Sequence, residues 1–148
     1  MNNLLGLRSN SGENLYPVLK PNTDLISLDF SRASIVHEDA KAIGKVLADF
    51  RQIRELNLNN CGLSNETTKE IADGLMRAKQ LEILRLADNS NMGKALGTVI
   101  YNLAFSPKIR HIDVTNAKGD AEVAEAFYKL IKISGAIETL NMRNAGVA

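Results

Sequence analysis

The 148-residue chain has a single cysteine, Cys61, and two histidines, His37 and His111. One thiol excludes an internal disulfide and a zinc-binding cysteine cluster, and the two histidines, far apart in sequence, have no metal-ligand spacing. Charge excess is also missing: 18 basic residues against 17 acidic ones leave a net charge of +1. That balance gives no support to nucleic-acid or anionic-membrane binding. The apolar run in residues 1–8 is too short for a signal peptide, and no stretch is long enough to span a bilayer. There is no glycine-rich phosphate loop. A lone thiol suits a reducing compartment, so the expectation is a cytoplasmic protein with no cofactor, no metal, no nucleic acid and no membrane insertion. With 45% hydrophobic and 24% charged residues, the chain is ample for one folded domain with a sizeable core.

Self-similarity organises that domain. The segments LISLDFSRA, IRELNLNNC, LEILRLADN, IRHIDVTNA and IETLNMRNA begin at residues 25, 53, 81, 109 and 137, an unvarying interval of 28. Slots one, four and six of each segment are apolar in all five copies. Slots four and six share one face of a short strand. Slot nine holds a compact residue expected to turn inward: Ala33, Cys61, Asn89, Ala117 and Ala145. Slot eight carries Arg32, Asn60, Asp88, Asn116 and Asn144; Asn and Asp favour turns by bonding nearby backbone. Slot two carries Arg54, Glu82, Arg110 and Glu138, an alternating ladder worth roughly 0.2–1 kcal/mol per cross-strand pair.

Between the strands a second pattern recurs at helical spacing: Ile43 and Leu47, Ile71 and Leu75, Val99 and Leu103, Phe127 and Ile131. Ala40, Thr68, Leu96 and Ala124 or Val123 precede these pairs. Ser64 and Asp120 are expected N-caps, Gly93 interrupts the start of the third helix, and Pro107 falls in a loop. Leu15 and Leu19 occupy the helix slots of a preceding repeat, with Pro17 between them, and residues 5–7 align with residues 61–63. The whole chain, 1–148, therefore reads as one repeat domain. A partial repeat covers 1–24, repeats start at 25, 53, 81 and 109, and a partial repeat covers 137–148. Because the last strand has no covering helix, a piece of a longer array is expected.

The pattern resembles the leucine-rich repeat family, LxxLxLxxN/C followed by a helix. Cys61 and Asn89 match its N/C slot, and three alanines depart from it. The 28-residue length with full helices looks like the ribonuclease-inhibitor-like class. The resemblance implies an α/β fold, a leucine-rich-repeat solenoid of about five repeats: a curved arc with parallel β-strands on the concave side and α-helices on the convex side. It also implies partner recognition rather than chemistry. Other members of the class are Ran GTPase-activating proteins, tropomodulin-type and CARMIL-type actin regulators and innate-immune receptors.

In a strand, slots three, five and seven point away from the core. The expected protein-binding face is Asp29, Glu55, Asn57, Ile83, Arg85, His111, Asp113, Asn141 and Arg143, joined by Ser27, Ser31, Asn59, Ala87, Thr115 and Thr139. It is polar and nearly neutral. Arg85 beside Ile83 makes an interface anchor; the bland reading is a local Arg85–Asp113 ion pair on a solvated sheet.

Catalysis has little to stand on. His111 and Asp113 share a face, but no activated nucleophile accompanies them, and Cys61 should point into the core. Arg32 and Arg143 sit at strand edges without a motif that carries over a catalytic role. The leading expectation is a non-catalytic protein–protein interaction scaffold. Alternatives are an actin-cytoskeleton regulator of tropomodulin-like or CARMIL-like type, a GTPase-activating protein of the Ran type, and a purely architectural spacer. The exposed C-terminal edge, residues 137–142, offers a surface for a homodimer.

Overall fold

The computed structural model describes residues 2–3 and 26–145. The expectations placed on residues 5–7, Leu15, Pro17, Leu19 and Leu25 lie outside the described residues. Strands and helices alternate: β1 (Asn2–Asn3), β2 (Ser27–Asp29), α1 (His37–Asp49), β3 (Glu55–Asn57), α2 (Asn65–Leu75), β4 (Ile83–Arg85), α3 (Lys94–Leu103), β5 (His111–Asp113), α4 (Val123–Ile133) and β6 (Thr139–Asn141). The strands form one parallel sheet in sequence order, and each helix packs on the next. This is an α/β layer arrangement of the leucine-rich-repeat type.

The interval of 28 residues is the sheet register itself. Leu28, Leu56, Leu84, Ile112 and Leu140 are successive partners across β2–β6. The pairing runs past the three-residue strands at both ends. At the near end Arg54, Glu82, Arg110 and Glu138 each donate a backbone N–H to slot two of the preceding repeat, at 2.7–2.8 Å. At the far end Asn60, Asp88 and Asn116 donate to slot seven of the next, at 2.8–2.9 Å. Slots one, four and six are fully buried from Leu28 through Val114, as are Ile43, Leu47, Ile71, Leu75, Val99, Leu103 and Phe127 on the helices. Removing each such side chain from water contributes about 1.5–3 kcal/mol.

Helix starts are built differently in each repeat. Ser64 Oγ accepts the Thr67 N–H at 3.2 Å while Thr67 Oγ1 accepts the Ser64 N–H at 2.8 Å, a reciprocal cap. Gly93, with φ of 56°, opens α3 without a side chain of its own to cap it. The missing acceptor comes from the previous repeat, where Asn65 Oδ1 takes the Ala95 N–H at 3.0 Å. Asp120 is not the N-cap expected of it. Its carboxylate accepts the Glu122 N–H at 3.3 Å and holds a turn ahead of α4, which begins at Val123. Where α1 crosses α2, Gly44 and Gly74 let the backbones approach closely; a Cβ on Gly44 would lie 2.6 Å from the Glu70 carbonyl oxygen.

Two inward expectations are corrected. Ala33 is only half-buried. Ile131, read as a core position, is 58% exposed, and Tyr128 beside it is 63% exposed. One repeat earlier the same positions are Ile100 and Leu103, both 0% exposed because α4 covers them. Nothing among the described residues covers α4, so its far face stays open, together with the half-buried Ile137, Leu140 and Met142.

Candidate functional site

The sheet face opposite the helices carries every residue the sequence proposed for binding. Two rows cross it: Asn57, Arg85 and Asp113 on neighbouring strands, and Glu55, Ile83 and His111 beside them. These side chains are all half-buried, whereas Asn141 and Arg143 on the last repeat are exposed. The structure separates these residues by what their polar atoms already do.

Slot five is committed to the backbone in four of five repeats. Asp29 Oδ1 accepts the Ser31 N–H at 2.9 Å, Asn57 Oδ1 the Asn59 N–H at 3.0 Å, Asp113 Oδ1 the Thr115 N–H at 3.0 Å and Asn141 Oδ1 the Arg143 N–H at 3.3 Å. These are Asx turns, in which a short side-chain carbonyl satisfies the amide two residues on. They bend the chain out of the strand toward slot eight, where Arg32, Asn60, Asp88, Asn116 and Asn144 all take the left-handed conformation, φ 52–67°. The slot-eight amides also bond each other across repeats: Asn144 Nδ2 donates to Asn116 Oδ1 at 2.8 Å and Asn116 Nδ2 to Asp88 Oδ1 at 2.9 Å.

Arg85 is the exception in slot five, because a guanidinium has no acceptor to offer. The amide of Ala87 is instead caught by Asn59 Oδ1 from the preceding repeat, at 2.8 Å. Arg85 is thereby released from the turn. The local Arg85–Asp113 pair expected from sequence does not form: Arg85 Nη1 donates to Glu55 Oε2 at 2.8 Å, on the strand the other way. Asp113 is occupied by its own repeat, accepting the Thr115 hydroxyl at 2.7 Å as well as its amide. The Glu55 and Arg85 side chains are 24% and 38% exposed, so the pair is screened by solvent and leaves further guanidinium donors facing outward.

His111 turns toward Arg110, whose Nη1 is 3.4 Å from the ring Nε2. Asp113 is given over to Thr115, so the His–Asp arrangement weighed for base chemistry is not assembled. Arg110 itself belongs to the slot-two ladder, which forms as the alternating charges predict: Arg54–Glu82 at 3.7 Å, Arg110–Glu82 at 3.0 Å and Arg110–Glu138 at 3.7 Å.

Slot nine holds the repeats together from within. Asn89, buried, accepts the Cys61 N–H at 3.0 Å and the Leu63 N–H at 3.2 Å, and its Nδ2 donates to the carbonyls of Leu58 and Leu86, both at 2.9 Å. Cys61 points into the core, its Sγ donating to the Phe30 carbonyl at 3.0 Å. Burial pushes its thiol up to about 11, against the smaller opposing pull of backbone hydrogen bonds. That is the opposite of an activated nucleophile. Among the described residues no group of three or more His, Cys, Asp or Glu side chains is placed to hold a metal ion, and no helix is long and apolar enough to cross a membrane.

No family model matches the chain. One curated protein with which it shares sequence is the NACHT, LRR and PYD domains-containing protein 9 of Bos taurus. The two are 32% identical over 77 residues, 51% of this chain but 8% of that protein. Solved structures share the fold. The tropomodulin C-terminal domain of Caenorhabditis elegans superposes with a TM-score of 0.73 at 12% identity, covering 90% of this chain and 82% of that one. Leiomodin-1 Actin-Binding Site 2 superposes with a TM-score of 0.71 at 16% identity, covering 90% and 79%. Together with the repeat register, these similarities support a leucine-rich-repeat type of protein.

Proposed function

We propose that the chain is a non-catalytic protein–protein interaction scaffold of the ribonuclease-inhibitor-like class, binding its partner through the exposed, concave strand face. The observation that carries this reading is the release of Arg85 from the turn that consumes slot five elsewhere. Arg85 sits mid-sheet with Ile83 apolar beside it and Glu55 holding its orientation. A pre-oriented arginine next to an apolar side chain, ringed by polar groups, is the composition of an interface hot spot. In this reading Asp29, Asn57, Asp113 and Asn141 shape the surface, and Glu55, Ile83, Arg85, His111 and Arg143 contact the partner. The setting is cytoplasmic, with no cofactor and no nucleic acid. Replacing Arg85 with Asn tests it: an identified partner is lost while the fold is kept. Retained binding sends the interface to another face.

The fold similarity to tropomodulin and to an actin-binding site of leiomodin-1 favours actin as the specific partner to try first. Co-sedimentation with filaments and filament-end elongation assays decide it; no effect in either removes this reading. A GTPase-activating role of the Ran type would fall to Arg32 or Arg143, neither within a matched motif, and an unaccelerated single-turnover GTP hydrolysis assay closes it.

The open C-terminal edge is covered, in our reading, by a second copy. The apolar side chains left open there, Tyr128 and Ile131 on α4 with Leu140 and Met142 on the last repeat, are what such a copy would cover. A two-fold axis buries Tyr128, Ile131, Leu140 and Met142 of each copy against the other.

A further inference from the structure

The turn region beyond β2–β4 holds a second surface. Ser31, Arg32, Asn57, Asn59, Asn60 and Asp88 line an open depression of about 560 Å³. Its polarity follows from the turn bonds. The side-chain oxygens of Asn57 and Asn59 face backbone N–H groups at 3.0 and 2.8 Å, which fixes the orientation of both amides. Their acceptors are used and their NH₂ groups remain as donors. At one end stands Arg32, whose guanidinium has no hydrogen-bond or ion-pair partner among the described residues. At the other end Asp88 already accepts from Asn116 at 2.9 Å.

Arg32 is the wrong residue for the backbone it occupies. At φ 67° it takes the conformation that Asn60, Asp88, Asn116 and Asn144 adopt in the other repeats. Asn and Asp visit this region because their short polar side chains bond locally; a long side chain does so only against a steric penalty. Asparagine in this position would fold more comfortably. What arginine adds is a cation at the head of a row of amide donors, and strain retained without structural benefit points to a binding role.

We propose that this ledge receives an acidic side chain of a partner protein, its carboxylate lying between the Arg32 guanidinium and the NH₂ groups of Asn57 and Asn59. Planar guanidinium and amide donors match a carboxylate's two oxygens. The lining is polar throughout, unlike the mostly apolar wall of a small-molecule pocket, and Asp88 repels a second negative charge at the far end. The proposal deepens the interaction reading and rests on it, but it uses a different arginine from the strand face.

The experiment is ¹⁵N NMR of the full chain titrated with a blocked Gly-Glu-Glu-Gly peptide and with its Gly-Gln-Gln-Gly counterpart. The glutamate peptide is expected to shift the side-chain amides of Asn57 and Asn59 and the Arg32 Nε saturably. The glutamine peptide, or an Arg32→Asn variant, is expected to bind about tenfold more weakly, the loss of one charge-assisted contact. Arg32→Asn leaves the fold intact, read as an unchanged or raised unfolding midpoint, and His111→Ala, on the strand face and away from the depression, leaves the peptide shifts unchanged. The ledge and the strand face therefore fail separately. Absence of shifts at millimolar peptide, equal response to both peptides, or full binding by Arg32→Asn overturns the proposal.

Discussion

Asn59 caps an amide in the next repeat: its Oδ1 accepts the Ala87 N–H at 2.8 Å, a bond made necessary by Arg85 standing where four other repeats place Asp or Asn. The relationship predicts a coupling. Asn59→Ala orphans a buried amide and costs about 1–2 kcal/mol. In an Arg85→Asn background the new slot-five amide recaptures Ala87, and the cost of Asn59→Ala falls by about 1 kcal/mol. A double-mutant cycle by urea denaturation measures it; additive effects would show that the two residues do not share this turn.

Asn89→Ala is expected to be the most damaging single polar substitution. It strands the amides of Cys61 and Leu63 and the carbonyls Asn89 serves inside the core. The loss is about 3 kcal/mol, since each orphaned buried group costs about 1–3 kcal/mol. Asn89→Asp restores the two acceptor bonds but not the donors, and falls between. A denaturation midpoint for Asn89→Ala equal to that of the parent would contradict the assignment.

The buried thiol sets an alkaline limit. Cys61 is raised from 9.0 to about 11 in the folded chain by burial, so the unfolded state loses its proton first as pH rises. The stabilisation is therefore complete below pH 9 and is lost progressively between about 9 and 11. Cys61→Ala flattens that part of the pH–stability curve. In the parent, labelling by a thiol reagent at pH 8 tracks unfolding; rapid stoichiometric labelling of the native chain would refute the burial.

The C-terminal edge predicts concentration-dependent mass by light scattering, shifting to monomer in Tyr128→Glu and Ile131→Glu variants. A monomer at every concentration rejects the second copy as the occupant of this edge.

Much of the fold was legible because repetition amplifies weak signals: one alternating strand of three residues is ambiguous, but the same slots filled at an unvarying interval set the register. The slot-two charge ladder was readable for the same reason, as alternation between neighbours. What was not legible depends on which neighbour a side chain chooses. Arg85 had acidic residues available on both adjacent strands, and only the prior use of Asp113 by Thr115 sends it to Glu55. Slot five read as a binding row because Asp and Asn look alike whether they face a partner or cap a turn. Ile131 fits the helical spacing, yet its burial depends on a covering element rather than on its own repeat. The Asn65 cap of Ala95 spans two repeats and has no local signature beyond the lack of a capping side chain at Gly93.

Recognition is proposed to occur on the strand face through Arg85. A photo-crosslinking residue placed in turn at Ile83 and Thr139 on that face, and at Lys45 and Asp73 on the helices, tests it most directly in a cell extract. One discrete adduct is expected from the strand-face positions, and it disappears with Arg85→Asn. Adducts from the helical positions alone, or strand-face adducts indifferent to Arg85→Asn, would contradict it.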